Sequence, residues 1–154
     1  MKLSRTIAYG IHATVQLARS APGVPIPCSQ LARQGHMPER FLVQILRCLV
    51  THGILESSCG VAGGYSLTRS PAQITLRDIV EAFDSPLEFN VAALNCIDPQ
   101  IRSRIVVTLQ DVASAARREL QKLTVADLMQ LGATPPDAVG LTVSIYDGID
   151  LSFI

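Results

Sequence analysis

One stretch restricts the fold of this chain more than any other. Over residues 29–69, two helix-forming segments separated by a tight turn run into two short strand-like segments around a glycine-rich tip. In the longer helical segment, Phe41, Leu42, Ile45, Leu46, Leu49 and Val50 recur at helical spacing and are expected to bury one stripe. Arg40, Gln44, Arg47 and Thr51 fall at steps of three and four on another face. Their guanidinium and amide donors suit phosphate oxygens and base edges. Pro38 suits the first turn of this helix and Gly53 its stop. The shorter helix has Ser29 as its expected N-cap and Gly35 as its end. Residues 54–58 and 65–69 read as the arms of a hairpin. Helix, turn, helix and hairpin in that order make a winged helix-turn-helix, whose second helix lies in the DNA major groove. The long helix by itself would equally suit a bundle helix with a solvated polar face; the order of all four elements favours DNA binding.

The charge distribution points the same way. Formal net charge is zero over 154 residues, which at first sight argues against nucleic acid. Residues 1–70, however, carry seven basic and two acidic side chains, a net +5, and residues 71–154 carry six basic and eleven acidic, a net −5. Such asymmetry is expected when one half touches phosphate and the other does not. With 48% of its residues apolar, the chain has enough material for a packed core. No segment reads as a signal peptide or a membrane span, so the expected location is the cytoplasm, away from any membrane. Cys28, Cys48, Cys59 and Cys96 show no CxxC pair and no zinc spacing, and are expected to be free thiols. Cys48 falls near a core face, where a buried thiol is inert.

Outside the central stretch, Leu3, Ile7, Ile11, Val15 and Ala18 predict an amphipathic first helix from residue 3 to about residue 19, ended by Pro22, Pro25 and Pro27. His12 lies beside its apolar stripe and reads as a surface or packing histidine. Thr75 and Asp78 form a capping-box-like start for a helix carrying Leu76, Ile79, Val80 and Phe83. Asp98 and Pro99 start the longest helix, which runs to about Lys122. Its apolar and small positions, Ile101, Ile105, Thr108/Leu109, Val112, Ala116, Leu120 and Leu123, alternate steps of four and three like a coiled-coil seam. At 1.5 Å per residue it spans roughly 36 Å, more than so small a domain needs for its own core. It reads as a dimerisation helix, and a twofold protein suits a twofold DNA site. Thr124 and Asp127 cap a last short helix that stops at Gly132. Beyond it, Leu141, Val143 and Ile145 alternate with polar residues, and Leu151 and Phe153 do so again after Asp147 and Gly148. That pattern reads as a β-hairpin, which must pack on the body or on a partner subunit, or else stay disordered. The expected fold is therefore mainly α. It comprises a winged helix-turn-helix over 1–84, a connecting loop and dimerisation helices over 85–132, and a tail over 133–154.

These residues resemble the Rrf2 family of bacterial winged-helix transcription regulators. The likeness runs from Met1, Lys2, Leu3, Ser4 and Tyr9 through the IPCSQLA stretch at 26–32 and Phe41 to Gln44. It is most specific in the wing, GVAGGYSL at 60–67, and in ITLRDI at 74–79; LTVADL at 123–128 also matches. The tail after Gly132 lies outside the usual pattern. The resemblance implies a homodimeric DNA-binding regulator. By position, Gln44 and Arg40 would reach bases or phosphates, Ser29 and Tyr9 the DNA backbone, and Gly63 and Gly64 would let the wing approach the minor groove. Lys2, Arg33, Arg47 and Tyr65 complete the expected DNA-contacting set.

Two departures from the family pattern stand out. Cys59 replaces an arginine that often precedes the first wing glycine, which removes a cation suited to a narrow minor groove. Cluster-binding members carry three cysteines before the long helix, whereas residues 85–98 hold Cys96 alone. One thiolate cannot hold an Fe–S cluster, which takes four protein ligands, so no cofactor is expected. A cluster would have to recruit His12, Glu88 or Asp98. Cys59 and Cys96 are the candidate redox thiols, with a neutral turn residue as the plainer reading of Cys59. The family also implies an alternative, a cluster-free dimeric module acting through a protein partner with weak DNA binding. Catalysis is not expected. The glycine tip lacks the Lys-Ser/Thr of a P-loop, and the three histidines sit on separate elements.

Overall fold

The computed structural model describes residues 4–60, 63–83 and 96–131. Six α-helices and a two-stranded sheet account for most of them. In chain order they are α1 (Arg5–Ala18), α2 (Cys28–Gln34), α3 (Glu39–Thr51), β1 (Leu55–Ser58), β2 (Gly64–Leu67), a 3₁₀ turn (Pro71–Gln73), α4 (Leu76–Phe83), α5 (Pro99–Lys122) and α6 (Val125–Leu131). The mainly α architecture, with a hairpin directly after α3, is the expected winged helix-turn-helix. Lys2, the connection over 84–95 and the tail from residue 132 lie outside the described residues.

Local chemistry sets most helix starts. Ser4 Oγ accepts from the Ile7 N–H at 3.3 Å and caps α1. Two capping boxes form as the residue types dictate. Thr75 N–H donates to Asp78 Oδ2 at 2.9 Å while Asp78 N–H donates to Thr75 Oγ1 at 3.2 Å. Thr124 and Asp127 repeat the exchange at 2.8 and 3.2 Å. The Thr124 hydroxyl, which donates to Asp127 Oδ2, and the Thr124 N–H hold the Asp127 carboxyl below its ordinary range. Asp98 Oδ1 accepts from Gln100 N–H at 2.9 Å, and Pro99 opens α5, which runs to Lys122 as its sequence pattern requires.

Two expected boundaries differ. Ser29 is not the N-cap of α2. The helix begins one residue earlier at Cys28, with Pro27 in the cap position and no side-chain cap. Pro38 likewise occupies the cap position of α3, one residue before the first turn. In both cases proline's fixed φ starts the helix without a capping hydroxyl. The turn between α2 and α3 takes its left-handed residue from His36 (φ 50°), whereas Gly35 stays at negative φ. Gly53 at φ 67° ends α3 as expected.

The core lies where α1, α3, the hairpin and α6 meet. Leu31, Leu42, Ile45, Leu46, Leu49, Ile54, Leu55, Ile74, Ile79 and Val125 are all fully buried. Each such side chain contributes about 1.5–3 kcal/mol of burial. Phe41 departs from the expected buried stripe. It lies on the first turn of α3, is 39% exposed, and meets Tyr9 edge-to-face with ring centroids 5.9 Å apart. The chain then folds back on itself, since Leu76 N–H donates to Leu123 O at 2.7 Å and Val125 N–H to Ile74 O at 2.9 Å. These bonds seat α6 against α1 and the 3₁₀ turn.

Helix α5 packs on α4 through Ala113, its buried residue among those described, while Arg77 and Arg117 both pair with Glu81. Ile101 (56% exposed) and Val112 (53%) of the apolar seam are left in solvent, and Ile105, Leu109 and Ala116 are half-buried.

Candidate nucleic-acid interface

The amphipathic pattern of α3 fixes which of its residues face outward. Burying Leu42, Ile45, Leu46 and Leu49 turns Arg40, Gln44 and Arg47 to solvent. Among the described residues, none of these three side chains has an intramolecular hydrogen-bond or ion-pair partner. Thr51 differs from its neighbours on this face, because its Oγ1 donates to Arg47 O at 3.0 Å. Helix α2 leads into the same turn, with Ser29 and Arg33 exposed and Arg33 Nε donating to Ser29 O at 3.3 Å. Tyr9 is half-buried, held by the Phe41 ring. Nothing in the sequence signalled that role for Phe41, since a first-turn aromatic fits the buried stripe equally well on periodicity.

The ion pairs of the described residues lie elsewhere. Arg69 pairs with Asp78 at 3.0 Å, Arg77 and Arg117 with Glu81, and Lys122 with Glu119. Carboxylates thus pair with Arg69, Arg77, Arg117 and Lys122, whereas Arg40 and Arg47 of α3, like Arg104 and Arg118 of α5, have no ion-pair partner among the described residues. A group of uncompensated donors on one convex face is suited to bind a polyanion.

The wing is anchored beside this face. Residues 55–58 pair with 64–67 in antiparallel register, Leu55 opposite Leu67 and Ser58 opposite Gly64. Tyr65 exchanges two backbone bonds with Ile26, both 2.9 Å, which tie the hairpin to the segment before α2. Both wing glycines are demanded by backbone proximity. A Cβ on Gly64 would lie 2.4 Å from Ile26 C and O, and one on Gly63 would lie 2.4 Å from Ser58 O. Neither obstacle is a side chain that can rotate away. Gly64→Ala should therefore lower stability by about 1–3 kcal/mol, the usual cost of overpacking. That corresponds to a fall of several degrees in melting temperature in a thermal scan, and an unchanged midpoint would refute the packing argument.

The four cysteines are distributed over separate elements. Burial, reinforced by nearby Glu39, pushes the Cys28 thiol up, and burial pushes up Cys48, whose Sγ–H donates to Ala82 O at 2.8 Å. Both are disfavoured as thiolates. Cys59 at the wing tip and Cys96 before α5 are exposed.

A family model described as "Rrf2: Iron-dependent Transcriptional regulator" matches residues 3–131. This chain belongs to the Rrf2 family. Its members are transcriptional regulators, not enzymes. A Mycobacterium tuberculosis protein described as an HTH-type transcriptional regulator is 37% identical over 87 residues, 56% of this chain and 54% of its own length. This chain thus spans about half the length of that relative. CymR of Bacillus subtilis, an HTH-type transcriptional regulator, is 28% identical over 128 residues, covering 83% of this chain and 89% of CymR. The solved structure of B. subtilis CymR, described as its global cysteine regulator, superposes with a TM-score of 0.68 at 26% identity, covering 85% of this chain and 98% of that one. IscR of T. potens shares the fold with a TM-score of 0.67 at 23% identity, covering 95% of this chain and 97% of that one.

The iron in the family description finds no matching donor set among the described residues. Among the described residues, no group of three or more His, Cys, Asp or Glu side chains could hold a metal ion. With one thiol used on Ala82 O and the others on separate elements, the described cysteines do not fit a cluster. No helix among the described residues is long and apolar enough to cross a membrane.

Proposed function

We propose that this chain is a homodimeric, sequence-specific DNA-binding transcriptional regulator of the cytoplasm that works without an Fe–S cluster. The observation that carries the reading is the uncompensated face of α3, where Arg40, Gln44 and Arg47 project beside the anchored wing. Gln44 and Arg40 read base edges. Lys2, Tyr9, Ser29, Arg33 and Arg47 hold phosphates, and the Gly63–Gly64–Tyr65 arm follows the minor groove. In this reading residues 1–84 bind DNA, residues 85–132 join two subunits through the exposed seam of α5, and residues 133–154 form an appended tail. The exposed Cys59 and Cys96 are the thiols available to an oxidant.

The test is selection of bound fragments from the source genome by purified, reduced protein, followed by titration across salt concentrations. The expected result is a shared twofold-symmetric sequence, with log affinity falling steeply against log salt as counterions are released. Peroxide should weaken binding in the wild type and leave Cys59→Ser unaffected if the wing thiol is the sensor. Failure to enrich any sequence, with a shallow salt slope, would favour the alternative, a dimeric interaction module of the same fold that acts through a protein partner.

A further inference from the structure

Among the described residues, the root of the wing carries an unused strand edge. In the hairpin, Thr68 N–H donates to Ile54 O at 3.2 Å, so the bonded pairs are Ile54 with Thr68 and Glu56 with Ser66. Tyr65 and Leu67 therefore point their backbone N–H and C=O away from β1. Tyr65 spends both on Ile26. Two residues on, the antiparallel partner of Leu67 would be Val24. It is turned away, because Gly23 adopts φ 73° and Val24 N–H donates to Ala21 O at 3.1 Å. The gap between Leu67 and Val24 is a cleft of about 350 Å³ walled by Leu17, Pro22, Val24, Leu67 and Pro71. It combines a backbone donor and acceptor with apolar walls, the requirements for adding one extended strand.

A path leads to this cleft from the end of α6. A second apolar depression of about 500 Å³ lies between the 3₁₀ turn and α6, lined by Ala72, Ala126 and Met129, and it shares Ser70 and Pro71 with the first. The described chain stops at Leu131, which is 58% exposed at the end of α6. Residues 132–140 can extend about 30 Å, ample for the crossing. The next residues alternate Leu141, Thr142, Val143, Ser144, Ile145. Residues 132–154 hold Asp137, Asp147 and Asp150 and no Lys or Arg, opposite in sign to the net +5 of residues 1–70.

We propose that residues 141–145 of the same chain add a strand to the free edge of β2 at Leu67, with Leu141, Val143 and Ile145 filling the cleft. The tail is thereby a strap on the root of the wing. The inference stands apart from the DNA reading, and its test uses no DNA. Hydrogen exchange is followed by mass spectrometry in the full-length wild type, in Leu141→Asp/Val143→Asp and in Val24→Asp, which alters an exposed cleft residue. The Leu67 amide should exchange at least tenfold faster in both variants than in the wild type, with α3 amides unchanged. A synthetic peptide of residues 137–154 should restore protection in the tail variant and not in Val24→Asp. Equal exchange at Leu67 in all three proteins would overturn the proposal, as would cross-links in mixed isotope-labelled dimers that join the tail only to the other subunit's cleft.

Discussion

Arg40→Ala combined with Gln44→Ala is expected to lower affinity for the selected operator by about a hundredfold or more. A good bidentate base contact is worth about 1–3 kcal/mol of discrimination, and each 1.4 kcal/mol is tenfold in affinity. Both residues are exposed, and their side chains make no hydrogen bond or ion pair among the described residues. Their removal should leave stability within about 0.5 kcal/mol, as for other surface positions. Operator affinity and melting temperature measured on the same preparation separate reading from folding. Arg47→Ala gives the contrast. A lost phosphate contact weakens binding to every sequence alike and reduces the salt slope by about one. If the double variant loses affinity equally for operator and random DNA, α3 holds phosphates and does not read bases. If it loses none, α3 is not the reading helix.

Val112→Asp is the second substitution with a large expected effect, through assembly. Val112 is 53% exposed, so a carboxylate there costs the isolated subunit little. In a twofold dimer joined by the seam of α5, the substitution buries two like charges without partners. An unpaired buried charge costs about 3–5 kcal/mol, so even one such cost would lower dimer affinity by roughly a hundredfold to several thousandfold. Sedimentation at micromolar concentration would show a folded monomer, with operator affinity falling in parallel. Ser114→Asp is the control, since it lies on a different side of α5 from Val112 and is exposed. A Val112→Asp protein that still sediments as a dimer would exclude this seam as the interface.

The residues behind these predictions differ in how they could be found. The α3 face and the α5 seam were readable because a helix repeats every 3.6 residues, so sequence spacing alone sorts side chains onto faces. The capping boxes of α4 and α6 and the start of α5 at Pro99 were equally legible, since each cap is completed within about four residues. The Ser29 cap failed for a local reason. A proline before Cys28 began the helix a residue sooner and left the hydroxyl without that role.

The sequence by itself determined the order of elements, the polar face of α3 and the absence of three cysteines before α5. All of these are set by neighbours along the chain. Tertiary structure decided how the parts meet. It held Tyr9 against an exposed Phe41, tied the wing to Ile26 through Tyr65, made Gly64 obligatory, turned the Cys48 thiol to Ala82 O, and seated α6 against α1. It also paired Arg69 with Asp78 and Arg117 with Glu81, and left Arg40 and Arg47 of α3 without partners among the described residues. Each of these contacts joins groups on different elements, and their geometry follows from how helices and strands pack in space, which spacing along one segment does not encode.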